Sequence, residues 1–326
     1  MADKQIKYAV TLYSMSCEYF TGKYNLEECL KAVAEMGYKG IELVAAQMIP
    51  EYPNPSREWM DEFVALLKRY QLEPICYSAY IDMGIRSDRD LNEEEIFQCT
   101  LNDMMYASYM GFPIVRTQHA ITPKIFEQMV PYARKFNVKL TIELHRPHTP
   151  SVPVWQEYMR IMDKHGTENL GIVPDFSIFQ RTPHKLYLEL AIKQGARKPV
   201  LEAACRIFEE GAEVEATIGK LDSLSEFEIV TIKDIYSNFY SNSADVEEMR
   251  TLLKYTPYIH GKFYYLEEDQ DDTCVPFHKL LPLIKEEGYS GYISSEYEGH
   301  HFSTEVSSAE QLHRLIKMEN RILYGV

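Results

Sequence analysis

Residues 6–14 read IKYAVTLYS, residues 25–28 read NLEE, and residues 40–46 read GIELVAA after a glycine at position 37. The first run is rich in β-formers. Asn25 and Glu28 have the spacing of a capping box, the apolar periodicity that follows predicts a helix, and Gly37 predicts its stop. The third run is a second strand. A strand, a helix and a strand in about forty residues form a βα unit, and units of this kind imply a parallel sheet.

Working outward from this unit, the alternation continues. Ser56 is placed to cap a helix carrying Trp59, Phe63, Leu67 and Tyr70 on one face, and LEPICYSAYI (72–81) is a third strand. Asn92 and Glu95 open another capped helix that stops at Gly111, and IVRTQH (114–119) is a fourth strand. Thr122-Pro123 is an N-cap with proline at the first helical position, and Pro131 should kink or restart that helix. VKLTIELH (138–145), LGIVPDFSI (170–178), YIHGKFYYL (258–266) and GYISSEYE (291–298) complete eight strands. The expected fold is α/β, a (β/α)8 TIM barrel formed by residues 1–326 as a single domain. Between strands six and seven the chain carries roughly sixty residues more than a βα loop needs. This segment, about 180–244, has helical patterns at 185–194, 199–210 and 213–221. It reads as a helical insertion, serving as a lid or as a subunit-docking surface.

Composition narrows the function. The 326 residues carry 34 Lys and Arg against 49 Asp and Glu, a net charge of −15, and no basic run interrupts the acidity. That balance argues against nucleic acid and against anionic membrane surfaces as partners. Six scattered cysteines, Cys17, Cys29, Cys76, Cys99, Cys205 and Cys274, form no CxxC pair and read as thiols of a reducing compartment. The N-terminal stretch alternates instead of forming an apolar signal core, and no apolar run approaches membrane-span length, so a cytoplasmic location is expected.

The C-terminal ends of barrel strands line the mouth where active sites form. Four consecutive strands end in metal-ligand residues: Glu143 in TIELH, Asp175 in VPDF, His260 in YIHGKF and Glu296 in ISSEYE. Three carboxylates and an imidazole suit one divalent ion, with Mn2+ the first expectation and Mg2+, Co2+ or Zn2+ the other candidates. The two-residue repeat of a strand puts His145 on the side of Glu143, Lys262 on the side of His260, and Glu298 on the side of Glu296. His145 and Lys262 are therefore the expected catalytic residues, and His119, Arg146 and Glu298 the expected substrate contacts. Glu42 is left between orienting a substrate and anchoring the barrel floor. His184 reads as a surface residue, and the pairs Tyr77/Tyr80 and Tyr264/Tyr265 as core or as stacking platforms.

Eight βα units with TIELH, VPDF, YIHGKF and ISSEYE resemble the xylose isomerase-like TIM barrels, the sugar phosphate isomerase/epimerase group. The resemblance covers most of the chain and implies one divalent metal held by Glu143, Asp175, His260 and Glu296. Simple ketose epimerases of that group join the Asp and His ligands by a short connection. The long connection here, the overall length and the Glu-x-His pair at 143–145 are most similar to the larger (α) subunits of bacterial C-deglycosylation enzymes. That similarity implies a lyase acting on a 3-oxo-C-glycoside: a proton leaves C2 beside the ketone, an enediolate forms, and β-elimination expels the aromatic aglycone from C1. It also implies a smaller β subunit in a hetero-oligomer. His145 is the neutral base best suited near pH 7, and Lys262 would stabilise oxyanion charge. The alternative outcome of the same enediolate is epimerisation or aldose-ketose isomerisation of a free sugar, with Glu143 and Glu296 exchanging protons on its two faces. A third reading is a sugar-binding or assembly subunit without catalysis.

Overall fold

A computed structural model of the chain describes residues 5–118 and 120–326. Its eight strands are β1 (Lys7–Thr11), β2 (Gly40–Val44), β3 (Glu73–Ser78), β4 (Ile114–Thr117), β5 (Lys139–Leu144), β6 (Leu170–Pro174), β7 (Tyr258–Phe263) and β8 (Tyr292–Tyr297). All pair in parallel, in the order β6-β5-β4-β3-β2-β1-β8-β7. β1 bonds to β8, and β6 and β7 meet through a single bridge between Asp175 and His260. The sheet is thus a nearly closed (β/α)8 barrel whose loosest seam lies beside two of the four residues singled out as ligands.

The local signals behave as the sequence suggests. Asn25 and Asn92 each complete a capping box, at the helices Leu26–Glu35 and Glu93–Met110, and Gly111 ends the second in the left-handed conformation. Thr122 caps Pro123–Gln128, and Pro131 marks a restart, because a separate helix runs Val130–Phe136. All six cysteines are free and at least half-buried. Among the described residues no helix is long and apolar enough to cross a membrane.

The interior of the barrel is layered by the two-residue repeat. At the bottom, Ala9, Ile75, Cys76, Ile114, Val173 and Tyr258 form a small buried apolar cluster. Gly40 belongs to this layer: a Cβ there would fall 2.4 Å from Ile75 Cγ1 and 2.8 Å from Ala9 Cβ, so no side chain fits. Two positions further along the strands the residues are Thr11, Glu42, Ser78, Arg116, Asp175 and His260, all buried and all polar. The apolar plug is therefore the floor of a charged layer.

Between β6 and β7 the chain forms the helices Lys185–Lys193, Lys198–Glu209, Val214–Gly219 and Glu226–Ile235. The last of these, capped by Ser225 and Glu228, was not foreseen. They enclose a separate apolar cluster that includes Leu201, Phe208, Ile232, Ile235 and Phe239. The cluster gives the segment a core of its own, distinct from the main core between barrel and outer helices.

One buried charge has no part in the barrel mouth. Glu319, in the last helix Ser308–Tyr324, is fully buried and neither oxygen has a hydrogen-bond partner among the described residues. Burial pushes its carboxyl up to about 8. Folding then takes up a proton between the unfolded value and 8, so this group costs stability as pH rises through that window and costs nothing below it. Glu319→Gln should match the wild type near pH 4 and exceed it at pH 8 by on the order of 4 kcal/mol. Urea unfolding at several pH values measures this, and a difference independent of pH would refute it.

Candidate metal centre and adjoining cavities

Glu143, Asp175 and Glu296 stand at the C-terminal ends of β5, β6 and β8, His260 stands within β7 level with Asp175, and all four are buried. Each offers a ligand atom, and these atoms lie within 4.8 Å of one another. His260 Nδ1 is 2.9 Å from Glu143 Oε1 and 3.3 Å from Glu296 Oε2. On the far side of the ring, Nε2 is 2.7 Å from Glu42 Oε2. Glu42 thus orients the imidazole so that Nδ1 faces the carboxylates, the arrangement by which an outer carboxylate fixes a metal-binding histidine. Asp175 Oδ1 accepts from the Ser177 backbone N–H at 2.7 Å, which leaves Oδ2 for the centre.

The donor set fits a divalent cation. Asp175 Oδ2, His260 Nδ1 and Glu296 Oε2 are buried without hydrogen-bond partners among the described residues, although opposite charges approach them. Charge balance points the same way. Four buried carboxylates, those of Glu42, Glu143, Asp175 and Glu296, are met by two permanent cations, Arg116 and Lys262. With His260 as a neutral ligand, two negative charges remain, which one divalent ion would offset.

Arg116 on β4 is the support that sequence reasoning missed. Its Nε donates to Glu42 Oε1 at 2.9 Å, and its two terminal nitrogens donate to Glu143 Oε2 and Ser78 Oγ. Gln118 Nε2 also donates to Glu143 Oε2, at 2.9 Å. Burial works against the charge of both carboxylates, yet His260 and Arg116 hold Glu42 below the usual carboxylate range, and Arg116 and His260 hold Glu143 well below it. Burial pushes Asp175 up to about 6 against the pull of Lys262. The available signal for Arg116 was its parity: it follows the inward-facing Ile114 by two and precedes Gln118 by two, which also reaches the site.

The next layer outward forms the rim. Lys262 Nζ lies 3.1 Å from Asp175 Oδ2, 3.3 Å from Glu296 Oε2 and 3.4 Å from Glu298 Oε2. Burial opposes its charge, but Asp175, Glu296 and Glu298 prevail and keep the ammonium protonated far above the usual lysine range. It is placed there as a hydrogen-bond donor. His145 follows β5, and its Nδ1 is 2.6 Å from the Arg146 carbonyl oxygen. A carbonyl only accepts, so the proton of a neutral ring sits on Nδ1 and the basic lone pair on Nε2. His145, Lys262 and Glu298, together with Tyr13, Arg116 and Glu296, line a cavity of about 360 Å3 above the centre.

The remaining expected contacts divide. His119 lies outside the described residues. Glu298 accepts from Tyr13 Oη at 3.4 Å and lines the cavity. Arg146 is committed to the protein itself: it donates to the carbonyl oxygens of Asn242 and Gln180, both at 2.6 Å, and of Phe239 at 3.1 Å. These bonds tie the loop after β5 to the helical segment. His148 is a loop residue that accepts from Trp155 Nε1 at 3.0 Å.

His184 corrects the sequence reading. It is buried, not at the surface, and its ring lies parallel on that of Tyr264 with centroids 4.0 Å apart and planes 1° from parallel. Burial lowers its pKa to about 3, so the stack contains a neutral imidazole. This pair lies in a second cavity, of about 440 Å3, with Tyr187, Phe239 and Phe302. Tyr13 and Glu298 line both cavities, which makes them neighbours across one neck.

The family model of xylose isomerase-like TIM barrels matches residues 30–318. The chain is similar to the 3'-dehydrocarminate deglycosidase alpha subunit of a Microbacterium species, at 30% identity over 94% of this chain and 93% of that protein. It is 25% identical to a C-glycoside deglycosidase alpha subunit of Arthrobacter globiformis, over 93% of this chain and 88% of the relative. Among solved structures, the IOLI protein with a bound zinc atom superposes with a TM-score of 0.60 at 13% identity, covering 98% of this chain and 99% of that one. D-psicose 3-epimerase gives 0.58 at 10% identity, with 98% and 99% covered, so likeness at that level speaks for the barrel alone. A buried cluster that could hold a divalent ion, drawn from four successive strands, and a family match over most of the length agree: the chain belongs to the xylose isomerase-like TIM-barrel family.

Proposed function

We propose that the chain is the catalytic α subunit of a metal-dependent carbon-carbon lyase that releases the aglycone from a 3-oxo-C-glycoside. The observation that carries this reading is the pairing of a buried, doubly negative ligand cluster with a tautomer-fixed histidine on the wall of the same cavity, in a chain related over nearly its whole length to C-glycoside deglycosidase alpha subunits. Glu143, Asp175, His260 and Glu296 would hold the ion, with Mn2+ the first choice. When bound, such an ion supplies Lewis-acid stabilisation of negative charge growing on a substrate oxygen.

The residues of the chain account for the proton movements. His145 Nε2 is the base that takes the proton from C2 beside the ketone, and its Nδ1–H bond to the Arg146 carbonyl steadies the ring as positive charge develops. Lys262, held as an ammonium, donates to the oxygen that gains charge as C2 loses its proton. The electron pair then forms C1=C2 as the bond from C1 to the aromatic carbon breaks, that carbon takes up a proton from water, and the proton held by His145 Nε2 returns to water. Glu298 and Tyr13, at the neck, flank the bond that breaks. The names of the related alpha subunits support a partner subunit, and the family resemblance implies that it is a smaller β subunit.

The deciding experiment incubates the chain with its partner subunit, Mn2+ and a 3-oxo-C-glycoside. Free aglycone is expected, with loss of activity on chelation and recovery on adding Mn2+. Turnover of free ketoses by the chain alone, with none of the glycoside, would replace this reading with an epimerase or isomerase. His145→Ala should lower turnover by roughly 100-fold or more while metal content stays near normal. Wild-type turnover by that variant would remove His145 from the base role. Glu143→Ala should fail to retain the ion, and Glu42→Gln, which loosens the hold on His260, should weaken Mn2+ binding roughly 10- to 100-fold in a calorimetric titration. An unchanged affinity in Glu42→Gln would leave Glu42 as a floor residue only.

A further inference from the structure

The second cavity has a chemistry unlike the first. The cavity over the ligand cluster is walled by charge: Arg116, Glu143, Lys262, Glu296 and Glu298. Its neighbour is walled by rings, with His184 stacked on Tyr264, Phe302 edge-on to His184 at 4.4 Å, and Phe239 edge-on to Tyr187 at 5.3 Å. Phe239 sits in a π-helical turn, Tyr236–Tyr240, a rare backbone form that recurs at functional sites. At about 440 Å3 the space lies in the range of pockets that hold one small molecule.

Two residues that line this aromatic cavity each carry an unsatisfied polar atom. Gln180 lines it and is fully buried, yet its Oε1 has no hydrogen-bond partner among the described residues. Arg146 also lines it, and its Nε is buried and unpartnered although the other guanidinium nitrogens are engaged. One acceptor and one donor left unpaired in the wall of a ring-lined space is costly unless a ligand supplies the complement. A hydroxyl on a flat aromatic system does so, because it donates to Gln180 Oε1 and accepts from Arg146 Nε while the rings meet aromatic faces and edges.

We infer that this cavity is the subsite for the aromatic part of the substrate, specific for a planar, hydroxylated ring system. The assignment rests on the lyase reading above and extends it: the sugar occupies the charged cavity, the aryl group the aromatic one, and the bond between them crosses the neck at Tyr13 and Glu298. The helices after β6 then have a role in recognition, since His184, Tyr187 and Phe239 all come from them. Arg146 joins the two halves, because the loop after β5 that carries His145 is bonded through it to the backbone of this wall.

The test uses a free trihydroxyflavone as the probe, titrated calorimetrically into the full chain without sugar and with metal chelated. The wild type should bind it, and Gln180→Leu and Phe239→Ala should each bind at least tenfold more weakly with Mn2+ affinity unchanged. Thermal melting confirms that each variant is folded, and Gln180→Leu, which removes only one side-chain bond to the Thr182 carbonyl, keeps the test usable if Phe239→Ala does not fold. Absence of binding by the wild type, or equal binding by the folded variants, overturns the assignment. Turnover separates the two claims. If the wild type cleaves a 3-oxo-C-glycoside with its partner and Gln180→Leu leaves KM unchanged, the subsite falls and the lyase stands. If the probe binds as expected but no glycoside is cleaved, it is the lyase that falls.

Discussion

Everything at the mouth of this barrel depends on balancing buried negative charge. Glu42, Glu143, Asp175 and Glu296 are removed from water, and each would cost several kcal/mol if left uncompensated. Arg116 meets the first two from below and Lys262 the last two from above, with His260 between the pairs. The imidazole is the adjustable element: it either carries a proton between Glu143 and Glu296 or presents its lone pair to a cation. A site built this way is stable enough to fold and still short of positive charge, which is the condition for holding a divalent ion.

The barrel supplies that balance by stacking layers with the period of the strand. An apolar plug, a charged layer and a polar rim follow one another at two-residue intervals, as in Tyr258, His260 and Lys262 on one strand. The plug denies water to the charged layer from below, so the carboxylates can be approached only from the mouth. The weak seam between β6 and β7 falls at the same level, where Asp175 and His260 share the single bridge. Leaving the barrel at that point, the chain can build its helices directly over the site.

This layering explains what could be read from the sequence. Parity and strand position group Glu143, Asp175, His260 and Glu296, and two further residues bring His145, Lys262 and Glu298 to the rim, so the convergence of these side chains was legible in the sequence, as a cluster that could hold a metal. Arg116 was overlooked because a guanidinium in a strand reads as an exposed edge residue until a layer of buried carboxylates is known to surround it. Glu42 stayed undecided for the same reason, since what distinguishes it is contact with Arg116 and His260, the latter more than two hundred positions away. His184 was misplaced because the sequence around it shows a helix start, and indeed its Nδ1 accepts from Tyr187 N, while its burial depends on Tyr264 and Phe302 from distant loops. Local patterns carry secondary structure and parity; they do not carry which loop closes over which.

For the proposed lyase reaction, the division into a charged and an aromatic cavity has a mechanistic consequence. Contacts to an aryl group far from C2 contribute the same binding in ground and transition states unless they also fix the direction of the bond that breaks. Elimination requires the breaking C1 bond to align with the developing orbital at C2, and a flat group held between ring faces and edges in a narrow space has little freedom to turn. Rigid aromatic walls therefore do more than a flexible apolar surface of equal area could, because they convert remote binding into orientation at the reacting carbon. Under the proposed reaction Arg146 would make the two requirements one: the carbonyl bonded to His145 Nδ1 belongs to the residue whose guanidinium is bonded to the aromatic wall, so the proposed base and the proposed aryl subsite share one residue.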